Sequence, residues 1–514
     1  MQTHWKWAVG LWLLAGNLAC DDRPVAQSPA ASTDTTLLVQ TYCGGCHRQP
    51  APTLLPRSIW AGHVLPTMGA MLGHYPVDRP RYQREALLGS PAEAAVLEAA
   101  RIFPAQPTLS AADWQAIQRH YLDQAPAQLS DSAARSITEG LRLFRPRPAR
   151  LQLSPPSSTL LAFGADGTLY LGDANSQRLY LLDAQGQVQQ AARVREGAVH
   201  LQETPEALFV TVMGSFSPTD QPTGFVLRLP KVPGQPVRVV LDSLKRPVHS
   251  QLGDLNGDGL TDLLVCEYGK WTGQLNWYAQ QPDGSFIRHT LRDQPGATRA
   301  YLRDLDGDGD LDLLALMAQG DEGIFRYDND GQGHFTESVV LRFPPSYGSS
   351  YFALHDLDGD SLPDLVYTNG DNADYQPILK PYHGLRLYRN QGDWTFALLA
   401  FIPLHGAYKA IPADFDQDGD LDLAAISFFP DYAQGAREGF VYLENEGDFA
   451  YTARTFAGVG QGRWLTIDVG DPDGDGDLDL ALGSLTFEVP GDSTWVNGWV
   501  RGQLPYLLLE NQLR

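Results

Sequence analysis

The pattern of hydrophobic and polar positions changes near residue 147 and divides the chain into two parts. Before it, apolar residues recur at helical spacing, as in PAEAAVLEAARI over 91–102, and Ser110 with Asp113 forms an N-terminal capping signal. After it, short apolar strands alternate with Gly/Asp turns. The pattern predicts a multidomain protein: a small all-α domain over 36–128, a linker over 129–146 and an all-β domain over 147–514.

An acidic repeat organises the second part. It reads Asp-x-Asp/Asn-x-Asp-Gly-x-x-Asp followed by an apolar strand, and each spacing leaves room for four strands, the anatomy of a propeller blade. Two further blades without the acidic loop are predicted over 160–195 and 198–241, which makes seven. The last repeat lacks a fourth strand, and residues 149–153 are predicted to supply it and close the ring. The five copies begin at Asp254, Asp304, Asp356, Asp414 and Asp471.

The acidic loops carry the ligand types that calcium prefers. Carboxylates at loop positions one, three, five and nine, with the carbonyl of position seven, are expected to converge on one cation, and such hard oxygen ligands favour Ca²⁺. Up to five ions are predicted, in a mainly structural role; Ser361 replaces the turn glycine in the third loop. The predicted ligands are Asp254, Asn256, Asp258 and Asp262; Asp304, Asp306, Asp308 and Asp312; Asp356, Asp358, Asp360 and Asp364; Asp414, Asp416, Asp418 and Asp422; and Asp471, Asp473, Asp475 and Asp479.

A Cys-x-x-Cys-His motif lies in the helical part. In Cys43-Gly44-Gly45-Cys46-His47, two thiols are spaced to form thioethers with the vinyl groups of a haem, and the next residue offers an imidazole to the iron. Zinc would need further ligands, and the sequence has no second cysteine pair. We therefore predict one covalent haem c. The motif resembles that of c-type cytochromes, and this resemblance implies a methionine further along the chain as the second iron ligand, for which Met68 is favoured. The alternatives to Met68 are Met71 and, less favoured, His63 and His74.

The N-terminus indicates export. Lys6, the apolar run 7–15 and Asn17-Leu18-Ala19-Cys20 resemble a bacterial lipoprotein signal. Residues 1–20 would then be a signal peptide, Cys20 the lipidated residue, and residues 21–35 a flexible tether; an ordinary signal with an incidental cysteine is the alternative. The predicted location is the periplasm or cell surface, anchored to a membrane. The formal net charge of −23 argues against nucleic acid as a partner.

The motifs together resemble a known family. Cys43 to His47, Trp60, the run Val64 to Gly69, Asp113-Trp114 and Ala125-Pro126 resemble the cytochrome module of exported bacterial proteins that fuse a c-type haem domain to FG-GAP/VCBS-type repeats. The acidic loops resemble those of the integrin-alpha propeller. The resemblance implies haem binding, electron transfer and a calcium-binding propeller, and it implies no particular substrate.

Strand alternation places the acidic loops on one face of the propeller and three long insertions, 369–384, 430–439 and 486–504, on the other. Residues that begin the first strands are predicted to ring the channel mouth on that second face: His249, Arg299, Tyr351, Lys409, and Arg463 or its alternative Trp464. This ring is expected to bind an anionic or sugar-like ligand or a redox partner protein, with ordinary packing between blades as the alternative.

These features predict an electron-transfer protein more than a catalyst, in which the haem carries electrons and the propeller serves for recognition or docking. One alternative is a haem-linked oxidoreductase or carbohydrate-active enzyme with its active site at the channel mouth. The other is an adhesion or scaffold protein.

Overall fold

The computed structural model describes residues 34–130, 136–195, 197–232 and 234–513. Cys20, the predicted signal peptide and nearly all of the predicted tether lie outside them. Within these ranges, no helix has the length and apolar content needed to cross a membrane. The α-helices are Thr35–Cys43, Arg57–Ile59, Leu65–Met71, Arg84–Leu88, Pro91–Ala99, Ala111–Gln124 and Ser493–Gly502, and a π-helical turn, Trp60–Val64, joins the second to the third.

The helical segment over 35–124 has its own hydrophobic core. Local signals begin its helices: the Ser110 hydroxyl accepts from the Asp113 amide, and Ser90 forms a reciprocal capping box with Glu93. The core is centred on Trp60, whose ring centroid lies 4.4 Å from that of Tyr121. We call the set the Trp60 cluster; its buried members are Leu38, Val39, Leu55, Ile59, Trp60, Leu65, Leu109, Trp114, Ile117, Tyr121 and Ala125.

The remaining chain forms seven four-stranded antiparallel blades, as predicted. The first strands of consecutive blades contact one another all the way round, so they line the axis of a closed ring. Blade one has Ser158–Phe163, Leu169–Asp173, Arg178–Leu182 and Val188–Arg193; blade two has Ala198–Glu203, Ala207–Val212, Gly224–Pro230 and Arg238–Leu244. Blade three has Pro247–Gly253, Asp262–Glu267, Gln274–Gln280 and Phe286–Arg292; blade four has Ala297–Arg303, Asp312–Met317, Gly323–Asn329 and Phe335–Arg342.

Blades five to seven complete the ring. Blade five has Ser349–His355, Asp364–Asn369, Gly384–Asn390 and Phe396–Pro403; blade six has Ala407–Ala413, Asp422–Ser427, Phe440–Asn445 and Tyr451–Thr455; blade seven has Trp464–Gly470, Asp479–Ser484, Tyr506–Asn511 and Phe144–Pro148. A short strand from the linker, Thr138–Glu139, adds to blade six by parallel pairing with its last strand.

The ring is closed by a strand that precedes blade one, at a different position from the predicted 149–153. Phe144–Pro148 pairs antiparallel with Tyr506–Asn511, and the Arg147 guanidinium lies 2.8 Å from the Glu510 carboxylate. Residues 149–153 have the apolar alternation of a strand, but they use it to pack three side chains against blade seven and its neighbour. The two prolines within 144–148 lack an amide hydrogen. An outer strand tolerates this because one of its edges has no partner strand to accept a hydrogen bond.

Candidate functional site

The Cys-x-x-Cys-His motif follows directly from the first helix. Cys43 is the last residue of that helix and is half-buried, whereas Cys46 is exposed, and both carry free thiols. The Nδ1 atom of the half-buried His47 lies 3.1 Å from the Arg48 carbonyl oxygen. With Nδ1 donating in that contact, Nε2 keeps its lone pair for a metal. The motif thus offers two thiols that form no disulfide and one oriented imidazole. These are the groups that a covalent haem would use for its two thioether bonds and one iron ligand.

The two candidate methionines pack in different clusters. Met68 packs against the Trp60 cluster, and so does Cys43 from the first helix. Met71, one turn further along, packs instead against a second cluster that contains Leu97 and Phe103. Glycine follows Met68 for a steric reason: a Cβ at Gly69 would lie 2.8 Å from the indole ring of Trp114. Met68 therefore shares an apolar surface with the first thiol, and Met71 does not.

The two histidine alternatives have partners of their own. The Nε2 atom of His74 lies 3.1 Å from the Leu109 carbonyl oxygen, and its ring stacks on Trp114 at 5.7 Å. The ring of His63 lies 5.9 Å from that of Tyr375, which belongs to the propeller.

Part of the Trp60 cluster is covered by the propeller insertion 369–384. Tyr375 and Ile378 pack against the cluster, and the Tyr382 hydroxyl donates to the Leu54 carbonyl at 2.9 Å. Next to the Cys-His motif, the Arg48 guanidinium donates to the carbonyl of Arg342 in blade four at 2.7 Å. Sequence reasoning missed these contacts, and the unusual length of the insertion was the one signal pointing to them.

The insertion is fixed by its own polar side chains. Asn372 donates through Nδ2 to the Ile378 carbonyl at 2.6 Å, and the buried Lys380 ammonium donates to the Ser346 carbonyl at 3.2 Å. Burial lowers the pKa of Lys380 to about 8, and the nearby carboxylate of Asp374 opposes that shift. These bonds hold Tyr375 and Ile378 in place against the helical segment.

In the acidic loops, positions one, three and five come together. Oxygen atoms of these three carboxylates lie within 4.8 Å of one another in four loops, and the remaining loop has Asn256 at position three. Ser361 takes the positive φ of 71° that glycine has at this turn in the other loops, and its amide donates to Asp356 at 2.8 Å. The four carboxylate groups are Asp304/Asp306/Asp308, Asp356/Asp358/Asp360, Asp414/Asp416/Asp418 and Asp471/Asp473/Asp475.

The carboxylate at position nine begins the second strand of each blade that has an acidic loop, and it has backbone partners of its own. Asp312 is 0% exposed, and its two oxygens accept backbone amides of Leu305 and Asn329, each at 2.8 Å. Asp262 and Asp364 accept the equivalent pairs of amides. These carboxylates tie the acidic loop to the second and third strands. Only Asp312, among the position-nine residues described, also falls in a carboxylate cluster, with Asp306 and Asp328.

Position seven carries a further carboxylate in three loops, which the sequence analysis counted only as a carbonyl. These residues are Asp310, Asp420 and Asp477. Burial, followed by repulsion from Asp475, raises the pKa of Asp477 to about 6. Part of this shift comes from the neighbouring carboxylates Asp471, Asp473 and Asp475, and a divalent cation among them would reduce that repulsion.

Four of the five predicted channel residues share one structural position. A β-bulge interrupts every first strand, and the residue after it is Leu160, His200, His249, Arg299, Tyr351, Lys409 or Thr466, in blade order. His200 belongs to this ring and was missed, because blade two has no acidic loop to mark its register. Arg463 does not belong to it, and Thr466 holds that position.

The charged ring residues are engaged with their neighbours. The Arg299 guanidinium donates to the Tyr301 hydroxyl at 2.9 Å and lies 4.5 Å from the ring centroid of Tyr351. The Lys409 ammonium donates to the Ile467 carbonyl at 2.7 Å. Burial, with the two cations, lowers the pKa of His200 to about 3, so this imidazole is neutral. The contacts of Arg299 with Tyr351 and of Lys409 with Ile467 join adjacent blades and favour packing as the role of the ring.

Arg463 lies instead between two insertions. It is 3% exposed, its guanidinium lies 4.0 Å from the ring centroid of Phe428, and it donates to the backbone carbonyls of Phe428, Phe487 and Glu488. It thereby joins the segments 428–432 and 486–490. Together with residues 372–379 these segments enclose a pocket of about 210 Å³.

Comparison with known proteins supports the repeat. A family model described as an FG-GAP-like repeat matches residues 254–315 and 304–367. Virginiamycin B lyase from Staphylococcus aureus is 9% identical, with a TM-score of 0.44 over 72% of this chain and 100% of that one. Sqt1 from Saccharomyces cerevisiae is also 9% identical, with a TM-score of 0.43 over 71% of this chain and 98% of that one.

No curated protein matches the sequence significantly. The chain thus carries FG-GAP-like repeats within a seven-bladed β-propeller, preceded by a helical segment.

Proposed function

We propose that this chain is an exported, membrane-anchored electron-transfer protein in which one covalent haem works beside a calcium-stabilised propeller. Cys43 and Cys46 would form the thioethers, and His47 and Met68 would bind the iron. The observation that carries the proposal is that Cys43 and Met68 pack against the same hydrophobic cluster, next to two free thiols and an oriented imidazole.

When bound, the haem would supply a reversible one-electron couple. The residues of the chain would set its surroundings. The indoles of Trp60 and Trp114 would exclude water from the apolar side of the site, and the thioether of Met68 would favour the reduced state relative to a second imidazole. The contact between His47 Nδ1 and the Arg48 carbonyl would hold the imidazole in the tautomer that binds iron.

Covalent haem attachment is the direct test of this proposal. The protein, exported from a bacterium that matures c-type cytochromes, is expected to retain haem after denaturing electrophoresis, with a visible spectrum that changes on reduction. Replacing both Cys43 and Cys46 with Ser should abolish that haem. Cys266→Ser is the matched control, because this thiol is fully buried in blade three and distant from the motif in the sequence. Unaltered haem content in the double variant would contradict the proposal.

The propeller would serve as the docking platform. The helical segment rests on the insertion-bearing face through the contacts of Arg48 and Tyr382, and through a contact of Glu93 with Thr219 at 3.5 Å. A redox partner protein or small-molecule ligand bound at this face would therefore be held next to the electron carrier. Kinetics of haem reduction by candidate donors, with and without competing ligand, would measure this coupling.

The proposed anchor has a test of its own. Cys20→Ser is expected to move the protein from the membrane fraction to the soluble exported fraction while haem content stays the same. An unchanged membrane association would contradict lipidation at Cys20.

A further inference from the structure

The insertion-bearing face carries a group of exposed arginines over blades one and seven. Arg178 begins the third strand of blade one and Arg193 ends its fourth strand, and the two are paired directly across these strands. Arg195 lies in the connection to blade two, and Arg150 lies in the connection from blade seven to blade one. All four side chains are exposed, and none forms an ion pair with a residue that the structure describes.

A fifth exposed arginine, Arg501, comes from the helix of the blade-seven insertion. Hydrogen bonds connect the end of that helix to the turn before Arg178. The Ser154 hydroxyl donates to the Val500 carbonyl at 3.2 Å, and the Asn175 side-chain amide donates to the Ser154 carbonyl at 3.3 Å. We call the five residues the Arg178 patch; its members are Arg150, Arg178, Arg193, Arg195 and Arg501.

The positive charges of the patch repel one another. Residues paired directly across antiparallel strands have Cβ atoms about 4.5–5.5 Å apart, so Arg178 and Arg193 hold two like charges side by side. The nearest carboxylates in the chain are engaged elsewhere: Asp173 is 2% exposed and accepts two backbone amides, and Asp183 accepts amides of its own turn at the other end of the strands. An anionic partner would offset the repulsion. The rest of the surface offers a contrast, because the formal net charge of the chain is −23.

The patch lies beside the helical segment on the same face. Contacts of the helical segment reach blades two to five, through Thr219, Trp271, Arg342 and Tyr382, whereas the patch occupies blades seven and one. A flat lipid surface laid on this face would meet the helical segment first. A folded protein, in contrast, fits into the corner between the helical segment and the patch.

The chemistry of the patch indicates what such a protein must carry. An arginine guanidinium binds a carboxylate through two parallel hydrogen bonds, so clustered aspartate and glutamate side chains match these arginines. Elsewhere the acidic surface of this chain repels an acidic partner, so the patch would also decide on which side that partner docks.

We propose that the Arg178 patch is the docking surface for an acidic partner protein, which binds through clustered carboxylates beside the helical segment. The inference rests on the proposed role of the propeller as a docking platform, and it names the chemistry of the partner. A partner held there lies next to the proposed haem module.

Binding of poly-L-glutamate to the full-length protein tests the proposal. All samples carry Cys20→Ser, so that a lipid anchor does not itself bind vesicles in the comparison below. Poly-L-glutamate is expected to bind, and to bind less tightly as NaCl is raised from about 20 mM to about 200 mM. Replacing both Arg178 and Arg193 with Gln should weaken binding about tenfold at the lower salt concentration, because two of the five charges are lost.

A matched control removes the same charge from another part of the propeller. Arg238 and Arg288 lie on the outer strands of blades two and three, are exposed, and form no ion pair with a described residue. Replacing both with Gln should leave the binding of poly-L-glutamate as it is in the unmodified protein. Thermal unfolding checks the fold, and the patch variant should unfold at or slightly above the temperature of the unmodified protein because it removes a pair of like charges.

Vesicles of phosphatidylglycerol provide the comparison with a membrane surface. The proposal is overturned if poly-L-glutamate does not bind, if the patch and control variants weaken its binding equally, or if the patch variant loses binding only to the vesicles. The visible spectrum of the same samples reports on the haem independently, so failure of the docking surface and failure of the proposed cofactor are distinguished.

Discussion

Substitutions at positions five and nine of an acidic loop should change stability in ways that depend differently on calcium. Asp308, at position five of the blade-four loop, is exposed, and one of its oxygens accepts the Asp310 amide at 2.9 Å. Asp312, at position nine, is fully buried and accepts two backbone amides at 2.8 Å. We therefore compare Asp308→Asn with Asp312→Asn, which remove the same charge from one loop.

The expected magnitudes follow from these contacts. In Asp312→Asn one oxygen becomes an amide donor that faces a backbone amide, so one charge-assisted hydrogen bond is lost and one buried donor stays unpaired; we expect a cost of about 2–4 kcal/mol. Asparagine at position 308 keeps an acceptor for the Asp310 amide, so its cost without calcium should be close to zero. With Ca²⁺ at 100 times its Kd, each bound ion adds about 2.7 kcal/mol of stability, and Asp308→Asn should lose much of that.

Thermal unfolding in EDTA and in saturating Ca²⁺ separates the two roles. Asp312→Asn is expected to lower the Tm by about 4–16 °C in both conditions, taking about 2–4 °C per kcal/mol. Asp308→Asn should lower it only in Ca²⁺. The reasoning is refuted if Asp312→Asn unfolds at the same temperature as the unmodified protein in EDTA, because position nine would then act as a metal ligand alone.

Two further predictions concern other buried groups. If the proposed haem is bound, Met68→Leu is expected to lower its reduction potential and change its visible spectrum, whereas Met71→Leu should leave both as they are; the reverse result would assign the ligand to Met71. Burial raises the pKa of Glu322 from 4.5 to about 8, so the native state keeps a proton that the unfolded chain has released, and stability should fall as the pH rises through that interval. Glu322→Gln keeps an acceptor for Ser349 but has no proton to lose, so it should remove this pH dependence and gain stability over the unmodified protein from pH 5 to pH 8. Unfolding at pH 5 and pH 8 measures the difference, and an equal change in stability at both pH values would contradict the assignment.

The repeated acidic loop made the propeller predictable from the sequence. Each loop follows the first strand of its blade, so it fixes the register of the residues that line the channel, including Arg299 and Lys409. Blade two has no acidic loop, so the sequence did not show which residue of its first strand faces the channel. His200 was missed for that reason. Arg463 was misplaced because it lies eight positions before Asp471, whereas Thr466 lies five positions before it, as the ring residues of blades three to six do before their own loops.

Contacts between distant segments were beyond the reach of sequence patterns. Asp312 and Asp308 are the same residue type in one motif. The second strand starts at Asp312, and this alone distinguishes that buried carboxylate from the exposed Asp308, which is a predicted calcium ligand. Nothing in the residues around Tyr375 indicates that its ring lies near His63, more than 300 positions earlier in the chain. Likewise, the closing strand was assigned to the segment with the clearer apolar alternation, although backbone pairing uses the proline-containing one before it.

The strand Phe144–Pro148 also sets the order in which the protein can fold. Blades one to six are built from consecutive strands, so they can form from local hairpins, whereas Arg145 and its partner Glu510 are 365 positions apart in the chain. Closing a loop of that length costs about 5 kcal/mol of chain entropy. The contacts of the seventh blade must offset this cost in a single step. We therefore expect a slow final phase of refolding that belongs to blade seven alone. Until that step, the sides of blades one and six that face blade seven would remain exposed to solvent. The helical segment would then be joined to an incomplete propeller.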